Sequence, residues 1–316
     1  MGDDIESYTT SLKSSVLQYR YENGRRYHAF VDDDGKYMFP NDEEENDRLD
    51  LWHHIQTLSL SGKHHLAPIG DQPQRILDIG TGTGIWACDM GRCSKECQYP
   101  SADILGNDIS PIQPTVVPVN VRFEVDDVEK NWVYSQKFDY IHSRYMTCSI
   151  RDWPKLMKQS YQFTKPGGWV EFQDYDLHWY TTNKDYNVTD NPFFRWSQLM
   201  AESVRKYGIE PDPGPKLKQW VEDAGFVNVS AHVFPIPMGT WPKDKRLKEI
   251  GAFNILSMLD NLEGITMRAL KTGMRWSADE VKVFCAQIRN ALRDKSARFQ
   301  SNFYVVYGQK PQDAVS

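Results

Sequence analysis

The sequence contains no apolar run approaching the ~20 residues that a helix needs to cross a bilayer, and its opening, MGDDIESYTT, lacks the basic start and apolar core of an export signal. Neither a secreted nor a membrane-spanning protein is expected. The Met-Gly start does not extend into a myristoylation pattern, because position 6 is Glu rather than Ser or Thr. Cysteine is sparse: five residues, an odd number without an export signal, which predicts free thiols in a reducing compartment, cytoplasm or nucleus. No block of lysine and arginine occurs, the formal net charge is -6 and the pI about 5.8, so no nucleic acid partner is expected. Internal repeats and low-complexity segments are also lacking. What remains is 316 residues, 40% of them hydrophobic, enough for one large core or a core with a smaller lid.

Residues 1 to 40 mix aromatic and polar residues without a clean period and read as an arm ending at Pro40. In NDEEENDRLDLWHHIQTLSL, Asn41 or Asp42 can cap, three glutamates suit the positive end of a helix dipole, and Leu49, Trp52, Ile55 and Leu58 recur at helical spacing. Gly and Pro then punctuate HHLAPIGDQPQ. These features divide the chain into an N-terminal arm and helix over 1–66 and a main domain over 67–316. From Arg75 onward short apolar runs, RILDIG, ADILGNDIS, VRFEVDD, FDYIHSR and GGWVEFQDYD, alternate with helix-length segments, which predicts parallel pairing in a three-layer α/β domain. LKQWVEDAGFVNVSAHVF reads as a helix, a stop at Gly225 and a strand, and NFYVVYGQKP as a final strand. Helical insertions at about 176–218 and 238–300 would form a lid.

The stretch RILDIGTGTGIWACDM carries Asp78 and then Gly80, Gly82 and Gly84. In an α/β sheet such a turn lets a ligand approach bare backbone at the carboxyl end of the first strand. A dinucleotide fold wants G-x-G-x-x-G, but counting from Gly80 the third position falls on Ile85. The acid-led D-x-G-x-G-x-G that stands here resembles motif I of class I S-adenosylmethionine (SAM) methyltransferases, where the cofactor brings an amino-acid tail, a sulfonium and a ribose rather than a pyrophosphate. A tight turn without a ligand is the plainer alternative. Two further acids fit a nucleoside: Asp108, with Ile109 after it, ends the second strand where a carboxylate can accept from ribose hydroxyls, and Asp127-Val128 follows the third strand where an acid and a backbone N–H can meet adenine. Asp126 competes with Asp127. The candidate cofactor set is Asp78, Gly80, Thr81, Gly82, Gly84, Asp108, Ile109, Asp127, Val128 and His142.

Taken together, ILDIGTGTGIW, GNDISPIQP, FEVDDVEKNW, FDYIHSRYM, KPGGWVEFQD, GTWPKDKRLKEIG and FYVVYGQKP, with the leader SSVLQYRYENGRRYHAF and FPNDEEENDRLDLWHH, resemble the fungal LaeA-like methyltransferases from about Ser14 to Pro311. The resemblance implies the class I fold, a Rossmann-like seven-stranded mixed sheet of order 3-2-1-4-5-7-6 with helices on both faces and an antiparallel last strand, and SAM as cofactor. It also implies an enzyme that methylates an O, N or C nucleophile of a small, partly apolar or aromatic secondary metabolite. Two other readings stay open: a nuclear regulator acting through protein partners, and a methyltransferase-like fold with non-methylating chemistry.

Methyl transfer from an activated sulfonium chiefly requires alignment, with removal of a proton where the nucleophile carries one. Candidates for the acceptor side are His142, whose imidazole titrates in a useful range, Tyr145 and Glu171. Against them stand a sheet-bonded histidine, a loop tyrosine and a buried, partnered carboxylate. Tyr19, Arg20, Tyr27 and His28 of the leader are candidates to close over the cofactor. Trp179, Tyr180, Phe193, Phe194, Trp196, Trp241 and Phe253 could frame an apolar pocket. Cys88, Cys93 and Cys97 do not match zinc spacing, and the pairs His53-His54 and His64-His65 point different ways, so no metal is expected.

Overall fold

The structure, a computed structural model, describes residues 19–28, 37–91 and 99–314. The leader forms a hairpin of β1 (Arg20–Glu22) and β2 (Arg25–Tyr27), turned by Asn23 and Gly24 at φ of 50° and 79°. Asn-Gly is the dipeptide that a tight hairpin turn favours, a signal that the expectation of a plain arm overlooks. Arg25 then grips Asp42 with two hydrogen bonds of 2.5 and 2.6 Å, and Asp42 caps helix α1 (Glu43–Ser59) by accepting from Glu45 N at 3.1 Å.

The central sheet follows from two-residue alternation. In β3 (Arg75–Ile79), Ile76 packs into one core with Ile104 and Tyr140, while Leu77 packs into another with Leu105 and Ile141 on the opposite face. β4 (Asp103–Asp108), β5 (Val121–Val125), β6 (Phe138–Arg144) and β7 (Thr164–Tyr175) join β3 in parallel. β10 (Phe299–Gln309) enters antiparallel between β7 and β9 (Val227–Pro237). The order β5-β4-β3-β6-β7-β10-β9 is the expected 3-2-1-4-5-7-6. An eighth strand, β8 (Tyr180–Thr181), pairs with Phe299 and Gln300 at the start of β10, so the sheet is wider than seven strands.

Helices α2 (Ile85–Gly91), α3 (Trp153–Phe163) and α5 (Leu217–Asp223) flank the sheet. The links 109–120 and 126–137 carry no helix, contrary to the expected strand and helix alternation. Pro111, Pro114 and Pro118 account for the first, since proline lacks the donor that a helix interior needs. α4 (Pro192–Arg205), α6 (Lys245–Arg268) and α7 (Ala278–Leu292) build a separate core beyond the carboxyl ends of the strands, from Phe193, Trp196, Leu262, Leu270, Phe284 and Ile288 with Trp179 and Phe299. The helical content expected for 240–300 is therefore present, and its aromatics largely pack against one another.

Candidate functional site

The turn from β3 into α2 places Gly80, Gly82 and Gly84 at φ of +63°, +58° and +80°, a region that side chains disfavour. Its amides are held from β4: Gly82 N donates to Asp108 Oδ2 at 2.9 Å, Thr81 N to the Asn107 carbonyl at 2.9 Å, and Gly80 N to Asn107 Oδ1 at 3.3 Å. The glycines differ in purpose. A Cβ on Gly82 would meet only Leu49 Cδ1 at 3.6 Å, whereas one on Gly84 would run into the Phe123 ring of β5. Gly84, expected to touch a cofactor, does not line the cavity; it allows α2 to pack closely on the sheet.

A cavity, open at its mouth, lies over this turn. Of the other expected cofactor residues, Asp78, Gly80, Thr81, Gly82, Asp108, Ile109, Asp127 and Val128 all line it, and so does Asp126, so both adjacent acids reach the same space. Burial pushes the Asp108 carboxyl up to about 6 against the amides of Ser110 and Gly82 that favour its ionised form. Gln56 of α1 also lines the cavity, and its buried Nε2 has no partner among the described residues.

His142 occupies a different place from the one expected of a base. Asp78, His142 and Glu171 stand side by side across β3, β6 and β7, on the face that α2 covers. The His142 ring is fully buried, stacks on Trp86 at 3.7 Å between centroids, and directs Nδ1 to Asp78 Oδ1 at 2.7 Å. Burial holds its pKa down at about 4 despite Asp78, so the ring is neutral and donates from Nδ1, leaving Nε2 without a partner among the described residues. It lines neither the cofactor cavity nor the second one described below. Glu171 is equally remote from both. Its carboxyl accepts from Leu66 N, Ala67 N at 2.6 Å and Gln173 Nε2 at 2.6 Å, tying the segment before β3 to the sheet, and burial raises its pKa to about 7. In this structure these two expected acceptor-side groups bond within the sheet beneath the turn: His142 lies two residues before the end of β6 and Glu171 four before the end of β7, whereas Asp78, on the same face, is one residue from the end of β3 and reaches the cavity.

Tyr145, the third candidate, does stand at the site. A second cavity adjoins the first, and Tyr37, Leu49, Trp52, Tyr145 and Ser149 line both. Tyr145 has φ +61°, stacks on Trp52 at 5.1 Å and accepts from Arg48 Nη1 at 2.9 Å. An Asp174 carboxylate holds the loop that follows, accepting from the amides of Met146 at 2.9 Å and Thr147 at 3.1 Å. Burial alone would lower the Arg48 guanidinium, yet Glu45, at 2.6 Å, and Tyr145 keep it above its ordinary value. Aromatic and thioether groups, Trp179, Trp196, Met200, Met238 and Met258, form most of the far wall. Of the leader candidates, Tyr27 packs under the Arg268 guanidinium at 4.8 Å and Tyr19 under that of Arg26 at 4.7 Å, and among the described leader residues Tyr37 and Phe39 reach the cavities.

One histidine of each adjacent pair meets the other. His53 and His64 stack at 5.8 Å, and with Asp89 their ligand atoms lie within 4.8 Å of one another. His53 accepts from Arg144 Nη2 at 2.7 Å and lies 3.0 Å from Asp89, and burial lowers its pKa to about 4, so the neutral ring bridges Asp89 to an arginine of the cofactor cavity. Cys93 and Cys97 lie outside the described residues.

Residues 51–231 match the family described as a methyltransferase domain. Methyltransferase pytC of Aspergillus terreus is 42% identical over 310 residues, covering 98% of this chain and 93% of its own. The secondary metabolism regulator LAE1 of Cochliobolus heterostrophus is 33% identical over 299 residues, covering 92% of this chain and 94% of its own. Among solved structures, a phosphoethanolamine N-methyltransferase 2 of Haemonchus contortus superposes with a TM-score of 0.52 at 16% identity, over 98% of this chain and 75% of that one, a likeness of fold.

Proposed function

This chain belongs to the S-adenosylmethionine-dependent methyltransferase family, and we propose that it methylates an O, N or C nucleophile of a small, partly apolar or aromatic metabolite held in the second cavity. The observation that carries this reading is the shared wall: Tyr37, Leu49, Trp52, Tyr145 and Ser149 border both spaces, so a donor in one meets an acceptor in the other.

The first cavity suits the cofactor. The Gly80–Gly82 turn offers bare backbone, Asp78 an acceptor for an ammonium, Asp108 with Ile109 acceptors for ribose, and Asp127 or Asp126 with Val128 an adenine site. Gln56 Nε2, buried without a partner among the described residues, and Arg144 supply donors for a carboxylate. SAM supplies a methyl group already activated on sulfur, so the protein's contribution is alignment and exclusion of water. Tyr145 and Trp52 set the passage between donor and acceptor, His142 fixes the Asp78 carboxylate, and Glu171 fixes the floor. The leader and helical insertions close the site as a lid, with the boundary of the main domain near residue 67. We place the protein in the cytoplasm or nucleus, where the buried thiols of Cys88, Cys148 and Cys285 remain reduced.

Identity to a protein named a secondary metabolism regulator supports a second reading, in which the chain acts through protein partners on expression of a biosynthetic pathway. One experiment separates the two: incubation with labelled SAM and an extract of producing cells. Label entering small molecules is expected; label entering polypeptide alone, or nowhere, would favour the regulatory reading.

A further inference from the structure

Among the described residues the second cavity contains one carboxylate, and neither the fold nor the expected catalytic set accounts for it. Asp176 lies immediately beyond β7 and lines the cavity among Leu177, Trp179 and Trp196. Tyr304 OH donates to its Oδ2 at 3.0 Å, while its buried Oδ1 has no partner among the described residues. Three other polar side chains of that wall are engaged, Arg48 by Glu45 and Tyr145, Asn254 by the Pro237 carbonyl at 2.8 Å, and Thr147 by Asp174, and Asp176 is the charged group left half-satisfied there among the described residues. A half-satisfied carboxylate in an apolar chamber is costly unless a ligand completes it.

We infer that Asp176 is the residue that engages the acceptor's nucleophile, accepting the hydrogen bond of its O–H or N–H through Oδ1 and taking that proton as the methyl group arrives. The inference deepens the reading of the second cavity as the acceptor chamber and rests on it. The acceptor is thereby an apolar or aromatic molecule bearing a hydroxyl or an N–H. In the step, the O–H or N–H bond breaks and its proton passes to Asp176 Oδ1. The electron pair released forms the bond to the methyl carbon, and the carbon–sulfur bond breaks with its pair left on sulfur, which becomes a neutral thioether. The carboxylate has the basicity that this proton transfer requires. Burial, with Asp212, raises its pKa to about 6 against the Tyr304 hydroxyl and His178, and Tyr180 of β8 also faces it. It is ionised at neutral pH and basic enough to hold a proton in transit.

Calorimetry of the full chain saturated with S-adenosylhomocysteine, using 2-naphthol and its methyl ether 2-methoxynaphthalene as probes, tests this. The naphthol is expected to bind about tenfold or more tightly than the ether, the worth of one charge-assisted hydrogen bond. Asp176→Ala should bring the ratio close to 1 while leaving S-adenosylhomocysteine affinity at the wild-type level. In the wild type alone the ratio should fall toward 1 as pH drops through about 6, since a protonated carboxyl donates to either probe. Equal binding of the two probes, or a preference that survives Asp176→Ala or low pH, overturns the role of Asp176 and leaves the chamber reading standing. Binding of neither probe overturns both.

Discussion

Across the parallel pairing of β3 and β6, His142 donates through Nδ1 to Asp78 Oδ1 at 2.7 Å, with the imidazole stacked on Trp86. The bond fixes the orientation of the one acid that opens the glycine turn, whose second oxygen accepts from Thr81 Oγ1 at 2.6 Å. His142→Ala should therefore weaken SAM binding by about 10- to 100-fold, the worth of a hydrogen bond to a charged group. Calorimetry with SAM decides it: an affinity unchanged from wild type would mean that Asp78 needs no such support.

Asp108 gives SAM affinity a pH dependence. Its carboxyl, raised by burial to about 6, accepts from Gly82 N and Ser110 N, and its ionised form is the stronger acceptor for ribose hydroxyls as well. Affinity should fall as pH drops through about 6 and level off above 7. Asp108→Asn should bind SAM about 10- to 100-fold more weakly at neutral pH and lose most of this dependence. A titration series from pH 5 to 8 on both proteins checks it, and identical slopes would exclude Asp108 as the titrating group.

Gly82→Ala and Gly84→Ala should fail in different ways. Both impose a side chain at positive φ, at about 1–2 kcal/mol, but only the Gly84 Cβ runs into protein, the Phe123 ring. Gly84→Ala should lower the unfolding midpoint by a further overpacking cost of about 1–3 kcal/mol. Gly82→Ala should lower stability less and SAM affinity more, because its Cβ enters the cofactor's space. Thermal melts with and without SAM separate the two, since bound ligand raises Tm only where affinity survives.

These variants also mark how far the sequence could be read. Sheet order, the glycine turn and the acids at successive strand ends were legible, because alternation and D-x-G-x-G-x-G are local patterns. His142 and Glu171 bond within the sheet, the alternatives weighed against an acceptor-side role, because sequence does not show how far short of a strand end a side chain stops, and Gly84 lies outside the cavity because its bare backbone makes room for the Phe123 ring. Arg48, Gln56 and Asp176 were missed for another reason. On a helix as acidic as α1, Glu45 and Arg48 look like solvated charges, yet both are buried by the leader and insertions, contacts whose partners lie far along the chain.

Glu171 should leave a signature in stability. Its folded pKa, raised by burial to about 7, exceeds the ordinary carboxylate value of about 4.3. Its contribution is therefore complete below about pH 4, and is lost as pH rises through about 7, where the folded state must ionise a buried group. Glu171→Gln stays neutral throughout. The Tm of the variant relative to wild type should rise from pH 5 to about 7 and level off above it, starting below wild type at pH 5 through weakened bonds to Leu66 N and Ala67 N. A constant difference over that range would place the titration elsewhere.

Glu45 and Arg48 form a buried pair one helical turn apart, with Arg48 Nε to Glu45 Oε2 at 2.8 Å and Nη2 to Oε1 at 2.6 Å. Such a pair is worth little net against apolar replacements of similar volume, since both ions surrender hydration, but removing one partner strands the other. Glu45→Ala should cost about 3–5 kcal/mol in denaturant unfolding, with Tyr145 OH left as the hydrogen-bond acceptor for the unpaired guanidinium. Glu45→Leu combined with Arg48→Met should cost much less than Glu45→Ala alone, because no charge remains buried. The double variant should nonetheless disturb the passage between the cavities, where Arg48 holds the Tyr145 hydroxyl and its guanidinium lies over the ring at 5.3 Å. Near-native stability together with normal methyl transfer would show that the pair serves neither folding nor the position of Tyr145. Near-native stability with impaired transfer is the expected result, and would assign this pair to the site rather than to the core.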